Sequence, residues 1–356
     1  MENNHFFCTV TPNDQQRWQQ VRAFLHENDL NIDQDLEQFV TILDDNMVML
    51  ACGGIAGRVL KCIAIEPSLR GQGLALQLMT ELIKLAFQLN RYDLFLYTKP
   101  ENGPLFRDCG FHEIATVKER VILMENSAHR LRNYCRSLEK MRRPGNRIGA
   151  IVMNANPFTL GHYYLVKKAA EECDWVHVFA VHEDKSDFPY QDRLDLIRQG
   201  VQDIKNITVH AGSDYLISQA TFPTYFLKDQ KIIDQCHMEI DIQLFRRYIA
   251  PALGIQYRYV GTEPFCSVTA EYNQQLKYWL STPLLDAPAI ALCEIQRQTL
   301  NHQPISAHQV RDLLAEHGPS AVKNLVPAST YSYLRRHCLG AALSVSPLPS
   351  MYGLRR

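Results

Sequence analysis

Ile148-Gly149-Ala150-Ile151-Val152-Met153-Asn154-Ala155-Asn156-Pro157-Phe158-Thr159-Leu160-Gly161-His162-Tyr163-Tyr164-Leu165-Val166 changes its hydrophobic period halfway along. Its first six residues form an apolar run rich in Ile and Val, the pattern of a strand buried on both faces. Asn156-Pro157 breaks the run, and from Gly161 the apolar spacing becomes helical. The stretch therefore reads as strand, tight turn, helix. In an open parallel sheet such a turn lies at the carboxyl end of the strand, where ligands bind, and the unpaired N–H groups that open the helix favour an anion. Thr159 and His162 flank that end, and Asn156, Phe158 and Gly161 share the turn.

Downstream, the pattern repeats. Trp175–Val181 reads as the next strand and runs into His182-Glu183-Asp184-Lys185-Ser186, with Arg193 on the helix that follows. Lys185 and Arg193 are candidate cations for a phosphate chain, with an ordinary surface role as the alternative for each. Ile207–His210 is the third strand. A longer excursion, Asp214–Leu253, carries the aromatic cluster Phe222, Tyr225 and Phe226 and suits either a second-substrate pocket or plain core. Ile255–Val260 then reads as a strand with Gly261-Thr262-Glu263 at its end, placed for a base or ribose. Ala289–Ile295 is the last strand. Ser306 has N-cap character, and Arg311, five residues on, returns to the same end of that helix.

Upstream lies a different arrangement. Residues 11–30 carry helical spacing, and Phe39–Leu43, Met47–Cys52 and Arg58–Ile65 read as strands, with Asp44-Asp45-Asn46 and Gly53-Gly54 as hairpin turns. The last strand enters Arg70-Gly71-Gln72-Gly73-Leu74-Ala75, a glycine-rich turn that opens a helix. Glycine there lets the backbone approach an anion. Asp93–Thr98 reads as a strand. Asn126–Arg143 is basic and periodic, either a solvated connector or a docking surface for an acidic carrier protein.

The chain has 356 residues, a formal net charge of −1 and ten cysteines. That length suggests two domains, and the balanced charge gives no global field for nucleic acid or an anionic membrane. The sequence contains no Cys-x-x-Cys pair and no bilayer-length apolar run, and its first residues, Met1-Glu2-Asn3-Asn4-His5, lead us to expect no secretory leader. The expectation is a soluble cytoplasmic protein with reduced thiols and no resident metal.

Thr159-Leu160-Gly161-His162 resembles the (His/Thr)-x-Gly-His signature of the nucleotidylyltransferase superfamily, and Ile305-Ser306-Ala307-His308-Gln309-Val310-Arg311 resembles its second motif, with His308 replacing the usual hydroxyl residue. The resemblance implies an ATP site of Asn156, Phe158, Thr159, Gly161, His162, Arg193, Gly261, Thr262, Glu263, Ser306 and Arg311, with His162, Thr159 and Lys185 as the catalytic residues, His162 at the α-phosphate and Lys185 towards the triphosphate. Arg70, Gly73 and Ala75 resemble the Arg-x-x-Gly-x-(Gly/Ala) turn of GNAT acetyltransferases. This implies a coenzyme-A-like group held by Arg70, Gly71, Gln72, Gly73 and Ala75. An acetyl-transfer base is not evident in that part.

The two modules in this order resemble the citrate lyase ligase family. The resemblance implies an α/β chain: a GNAT-like α+β domain (1–125), a basic linker helix (126–146), a Rossmann-like parallel-sheet nucleotidylyltransferase domain (147–342) and a tail (343–356). It further implies ATP with Mg2+, acetate and the thiol of the citrate lyase acyl carrier protein as reactants. Two other readings stay open, a nucleotidylyltransferase that makes a dinucleotide-type cofactor and a protein N-acetyltransferase with a degenerate nucleotide domain.

Overall fold

Two sheets of different construction carry the chain. The computed structural model describes residues 5–182, 186–217, 222–227, 229–262, 267–283, 285–301 and 303–342. One compact unit is assembled from Met1–Arg142, Ile217–Leu253 and Thr282–Pro288, the other from Arg143–Leu216, Gly254–Ser281 and Ala289–Arg356. Lys185, Glu263 and the tail expected at 343–356 lie outside the described residues.

In the first unit, β1 (Phe6–Val10), β2 (Gln38–Leu43), β3 (Met49–Ala56), β4 (Val59–Ile65), β5 (Phe95–Thr98), β6 (His112–Val117) and β7 (Val121–Glu125) form a sheet in the order β1-β2-β3-β4-β5-β7-β6. Its pairs are antiparallel except β4–β5, which is parallel and needs a crossover. That crossover is α2 (Leu74–Gln88), which follows α1 (Gln15–Glu27) and buries Leu74, Leu78, Leu82 and Leu85 in one core with Ile42, Ile55 and Leu60. The four leucines are spaced so that they share one helical face. Gly53 and Gly54, expected to form a hairpin turn, instead lie inside β3. A Cβ on Gly53 would stand 2.6 Å from Leu82 of α2, and one on Gly54 would press on Leu36 and Phe39. The actual turn uses Gly57, at φ +54°.

α3 (Gly103–Asp108) leads to β6 and β7, and α4 (Arg130–Glu139) closes this part of the chain. Leu131 and Leu138 of α4 are buried, and the Arg130 guanidinium pairs with Glu125 and Asp93, each at 2.9 Å. The helix is therefore anchored on one side, while Arg132, Arg136 and Lys140 stay exposed.

The chain then enters the second unit through β8 (Ile148–Met153), α5 (Leu160–Glu172), β9 (Trp175–Ala180), α6 (Tyr190–Gly200) and β10 (Ile207–His210). The excursion that follows belongs to the first unit from Ile217 to Leu253 and includes α7 (Gln230–Leu244) and α8 (Ala250–Leu253), joined by a π-helical turn, Phe245–Ile249. Its hydrogen bonds explain the placement. Thr224 donates its hydroxyl to Asp33 at 2.7 Å, Tyr225 donates to the Tyr97 carbonyl at 2.9 Å, and Gln243 donates to the Thr116 carbonyl at 2.8 Å. Asp33 and Asp35 also hold Lys61, which is 2% exposed, at 3.1 and 2.9 Å. A buried ammonium so paired ties the excursion to β4.

The second unit resumes with β11 (Tyr257–Gly261), α9 (Ser267–Ser281), β12 (Ala291–Ile295), α10 (Ala307–His317) and α11 (Ala328–Ala342). Its strands are ordered β10-β9-β8-β11-β12, and all neighbouring pairs are parallel. The chain moves from β8 outward to β10, then returns on the other side of β8, so the topological switch falls between β8 and β11. Ligands bind at the carboxyl ends of strands beside such a switch. Among the described residues no helix is long and apolar enough to cross a membrane.

Candidate active site

At the carboxyl end of β8, Ala155 takes φ +49° and the Asn156-Pro157 bond is cis, so the chain turns sharply before α5. Thr159 is the N-cap: its hydroxyl accepts the His162 N–H, and its own N–H donates to His162 Nδ1 at 3.0 Å. This is a reciprocal capping box with histidine in the usual carboxylate position. Because Nδ1 accepts a backbone proton, the neutral ring carries its hydrogen on Nε2. Burial, followed by the charge of Arg297, lowers the His162 pKa to about 4. The residue is nevertheless only half-buried and lines a cavity. At neutral pH His162 is thus an uncharged donor fixed in one orientation.

That cavity measures about 250 Å³ and is bounded by Thr159, Gly161, His162, Gly261, Arg297 and Ser306, among others. It collects the start of α5, the ends of β11 and β12, and the start of α10. Ser306 caps α10 by accepting the Gln309 N–H at 3.1 Å. The two helix starts touch at Gly161, where a Cβ would stand 2.7 Å from the Ile305 carbonyl oxygen. Only glycine allows that approach. At the end of β11, Thr262 N–H donates to the Ile295 carbonyl at 2.9 Å, and Asn273 donates to the Gly261 carbonyl at 3.2 Å.

Three expected contacts are placed elsewhere. Phe158 is fully buried, stacked against His162 with ring centroids 5.6 Å apart and seated where a Cβ on Gly200 would collide with it. It supports the histidine from beneath and has no open face for nucleotide. Arg193 is also fully buried and donates to the carbonyls of Asn154, Val181 and Phe188, binding the ends of β8 and β9 together. Asn156 is turned the same way: its amide donates to Asp187 and its side-chain oxygen accepts the Phe188 N–H. Arg311 is half-buried at the edge of this network, donating to the Asn156 carbonyl at 2.7 Å with Nε 3.1 Å from Asp187. His308, in the motif's variant position, is exposed and faces Asp312.

Arg297 had no part in the sequence expectations. Its position two residues beyond a parallel strand was the available signal, because such positions feed the ligand-binding edge.

The first unit holds a second cavity, of about 580 Å³. β4 and β5 are paired at Val59–Phe95 and Leu60–Leu96, and beyond those pairs Ile63, Ala64 and Ile65 of one strand and Tyr97 and Thr98 of the other line the opening. Arg70, Gly71 and Ala75 line it as well. Gly71 and Gly73 have φ of +82° and +84°, and Gly73 precedes α2 without any side-chain cap. Gln72 is exposed and donates to the Ser68 carbonyl. The carboxylates on the lining, Glu27, Asp29 and Glu101, are all solvent-exposed.

Comparison with known proteins agrees with both halves of this geometry. Residues 5–111 match the acetyltransferase (GNAT) family model, and residues 148–334 match the citrate lyase ligase C-terminal domain. The [citrate [pro-3S]-lyase] ligase of Escherichia coli is 53% identical over 94% of this chain and 95% of its own length. The protein of the same name from Haemophilus influenzae is 52% identical over 91% of this chain and 96% of its own, and that from Klebsiella pneumoniae is 52% identical over 90% and 93%. With a matching domain model and full-length relatives at this identity, the chain belongs to the citrate lyase ligase family.

Proposed function

We propose that the protein acetylates the prosthetic-group thiol of the citrate lyase acyl carrier protein, using ATP and acetate, and so activates citrate lyase. The observation that carries this reading is the orientation of His162, locked through Nδ1 so that a neutral Nε2–H is available at the cavity. A carboxylate is a poor acyl donor because oxide is a poor leaving group. Acetate would therefore first attack the α-phosphorus of ATP, forming an oxygen–phosphorus bond while the bond to the bridging oxygen breaks and pyrophosphate leaves. Such a transfer needs positioned donors and charge more than a covalent nucleophile. The carrier thiol would then attack the adenylate carbonyl, lose its proton and release AMP.

In this reading His162 donates to an α-phosphoryl oxygen, Thr159 holds it there, and Gly161, Gly261, Thr262 and Ser306 shape the nucleotide site. Arg311, together with Lys185 and Glu263, is assigned to the triphosphate and ribose ends. Magnesium would arrive with ATP, since the described residues contain no metal-holding group of His, Cys, Asp and Glu. The first unit would hold the carrier's coenzyme-A-like group, its phosphates at the Arg70–Ala75 turn and its thiol arm along the opening between β4 and β5. A cytoplasmic setting fits the unpaired thiols of Cys8, Cys52, Cys62 and Cys173.

The test is exchange of labelled pyrophosphate into ATP with and without acetate. Acetate-dependent exchange is the expected result. ADP and acetyl phosphate as products would overturn it, and a requirement for a phosphorylated co-substrate would favour synthesis of a dinucleotide-type cofactor.

A further inference from the structure

His162 supplies direction to the cavity but no charge. As acetate approaches the α-phosphate, two anions are brought together, and a ring with a pKa of about 4 is uncharged at neutral pH. Arg311 and Arg193 are not on the cavity lining, Arg193 being buried under the turn. Among the described residues that line the cavity, Arg297 is the one cation.

We propose that Arg297 is a further catalytic residue, its guanidinium holding the negative charge that gathers on the α-phosphoryl oxygens while His162 Nε2–H donates to the same group. The proposal rests on reading the cavity as the adenylation site. Arg297 follows β12, and its N–H donates to Thr262 Oγ1 at 3.4 Å, which ties the loops beyond β11 and β12. Its side chain crosses the end of β11, with Cγ and Nε 3.4 Å from where a Cβ on Gly261 would stand. A glycine at 261 leaves that path open. Arg297 is half-buried, close enough for its charge to add to the burial that disfavours protonation of His162. A guanidinium is a delocalised cation whose planar fork matches two phosphoryl oxygens at once. In the step itself the acetate oxygen bonds to phosphorus, the α–β bridge bond breaks, and its electron pair leaves with pyrophosphate. No proton moves, so a permanent cation suffices.

The experiment uses full-length Arg297→Ala, Arg297→Lys and Arg297→Gln proteins, each checked for folding by circular dichroism. In acetate-dependent pyrophosphate exchange, Arg297→Ala should lose roughly 10²–10³ in turnover, the size expected for one electrostatic group, with a much smaller change in the KM for ATP. Arg297→Lys should lose less, and added guanidinium ion should restore part of the Arg297→Ala activity. By NMR, the His162 ring should titrate at a higher pH in Arg297→Ala and Arg297→Gln than in the parent. Parent-level exchange by Arg297→Ala overturns the proposal. So does a loss that guanidinium does not repair in a protein whose His162 titration is unchanged, because that pattern marks a structural role. If the parent shows no acetate-dependent exchange, the adenylation reading fails and takes the proposal with it.

Discussion

The chain opens two helices behind glycine-bearing turns, and it finishes the two turns in opposite ways. At α5 the helix end is closed by its own side chains: Thr159 and His162 take up each other's N–H groups, and Gly161 is pressed against Ile305. At α2 it is open. Gly71 and Gly73 have positive φ, nothing stands within 4 Å of where their Cβ atoms would be, and no side chain caps the helix. A capped start gives up free N–H groups in exchange for a proton donor held in one direction, whereas a bare start keeps the N–H groups that favour an anion. The first suits a reaction and the second suits retention.

Substitutions can test that division. The largest effect should come from His162→Ala, with acetate-dependent exchange reduced by roughly 10²–10³ and the KM for ATP far less affected, since the donor acts mainly in the transition state. Turnover near the parent's would remove the distinction between the turns. Next is Gly161→Ala, whose Cβ would meet a backbone carbonyl that cannot step aside like a side-chain tip. It should lose about 1–3 kcal/mol in urea unfolding, the usual cost of overpacking, together with exchange activity. An unchanged midpoint would mean that α5 and α10 are not in tight register.

Gly73→Val should be milder. A side chain at φ +84° costs about 1–2 kcal/mol, and a turn displaced by it should acetylate the carrier thiol roughly tenfold more slowly. Exchange should persist. Loss of both activities in a folded protein would refute the division of labour, and loss of neither would leave the turn a purely structural device.

Acid should separate the units by a smaller margin. His162 and His210 are lowered to about 4 and His177 to about 3, chiefly by burial; for His177 the charges of His210 and Arg143 add to it. All three lie in the second unit. Unfolded, each would protonate near its ordinary pKa of about 6.5, so the unfolded chain binds more protons and this unit loses stability as pH falls from about 6.5 towards 4. Fluorescence of Trp175, in the second unit, should therefore change at a higher pH than that of Trp18, in the first. The reverse order would contradict the sign of these shifts.

What could be read beforehand was local chemistry. The Ser306 cap follows from a hydroxyl placed before a helical period, and β10 was expected at Ile207–His210, where it is found. Glycine was harder to read, because a turn and a close approach use the same residue: Gly53 and Gly54 serve packing. Phe158 and Asn156 stand beside the motif in sequence, and Arg193 follows the next strand, yet none of the three lines the cavity, because facing depends on tertiary packing that no short pattern records. β1, β6 and β7 went unanticipated because short strands leave few periods to count. Arg297 had no motif at all, only a strand end to place it.

The first unit is written in three instalments, Met1–Arg142, Ile217–Leu253 and Thr282–Pro288, and this has a consequence for synthesis. Arg246, which is 2% exposed, donates to the carbonyls of Thr282, Ala287 and Pro288, and Asp33, which already holds Lys61, gains the Thr224 hydroxyl only with the second instalment. A ribosome working at roughly 5–20 residues per second releases the last instalment on the order of ten seconds or more after Arg142. For that interval the nascent sheet lacks its closing segments, so the unit reaches its finished form only after much of the second has also been made. A fragment ending at Arg142 would lack the segments that bond Asp33, Tyr97 and Thr116 in the finished unit.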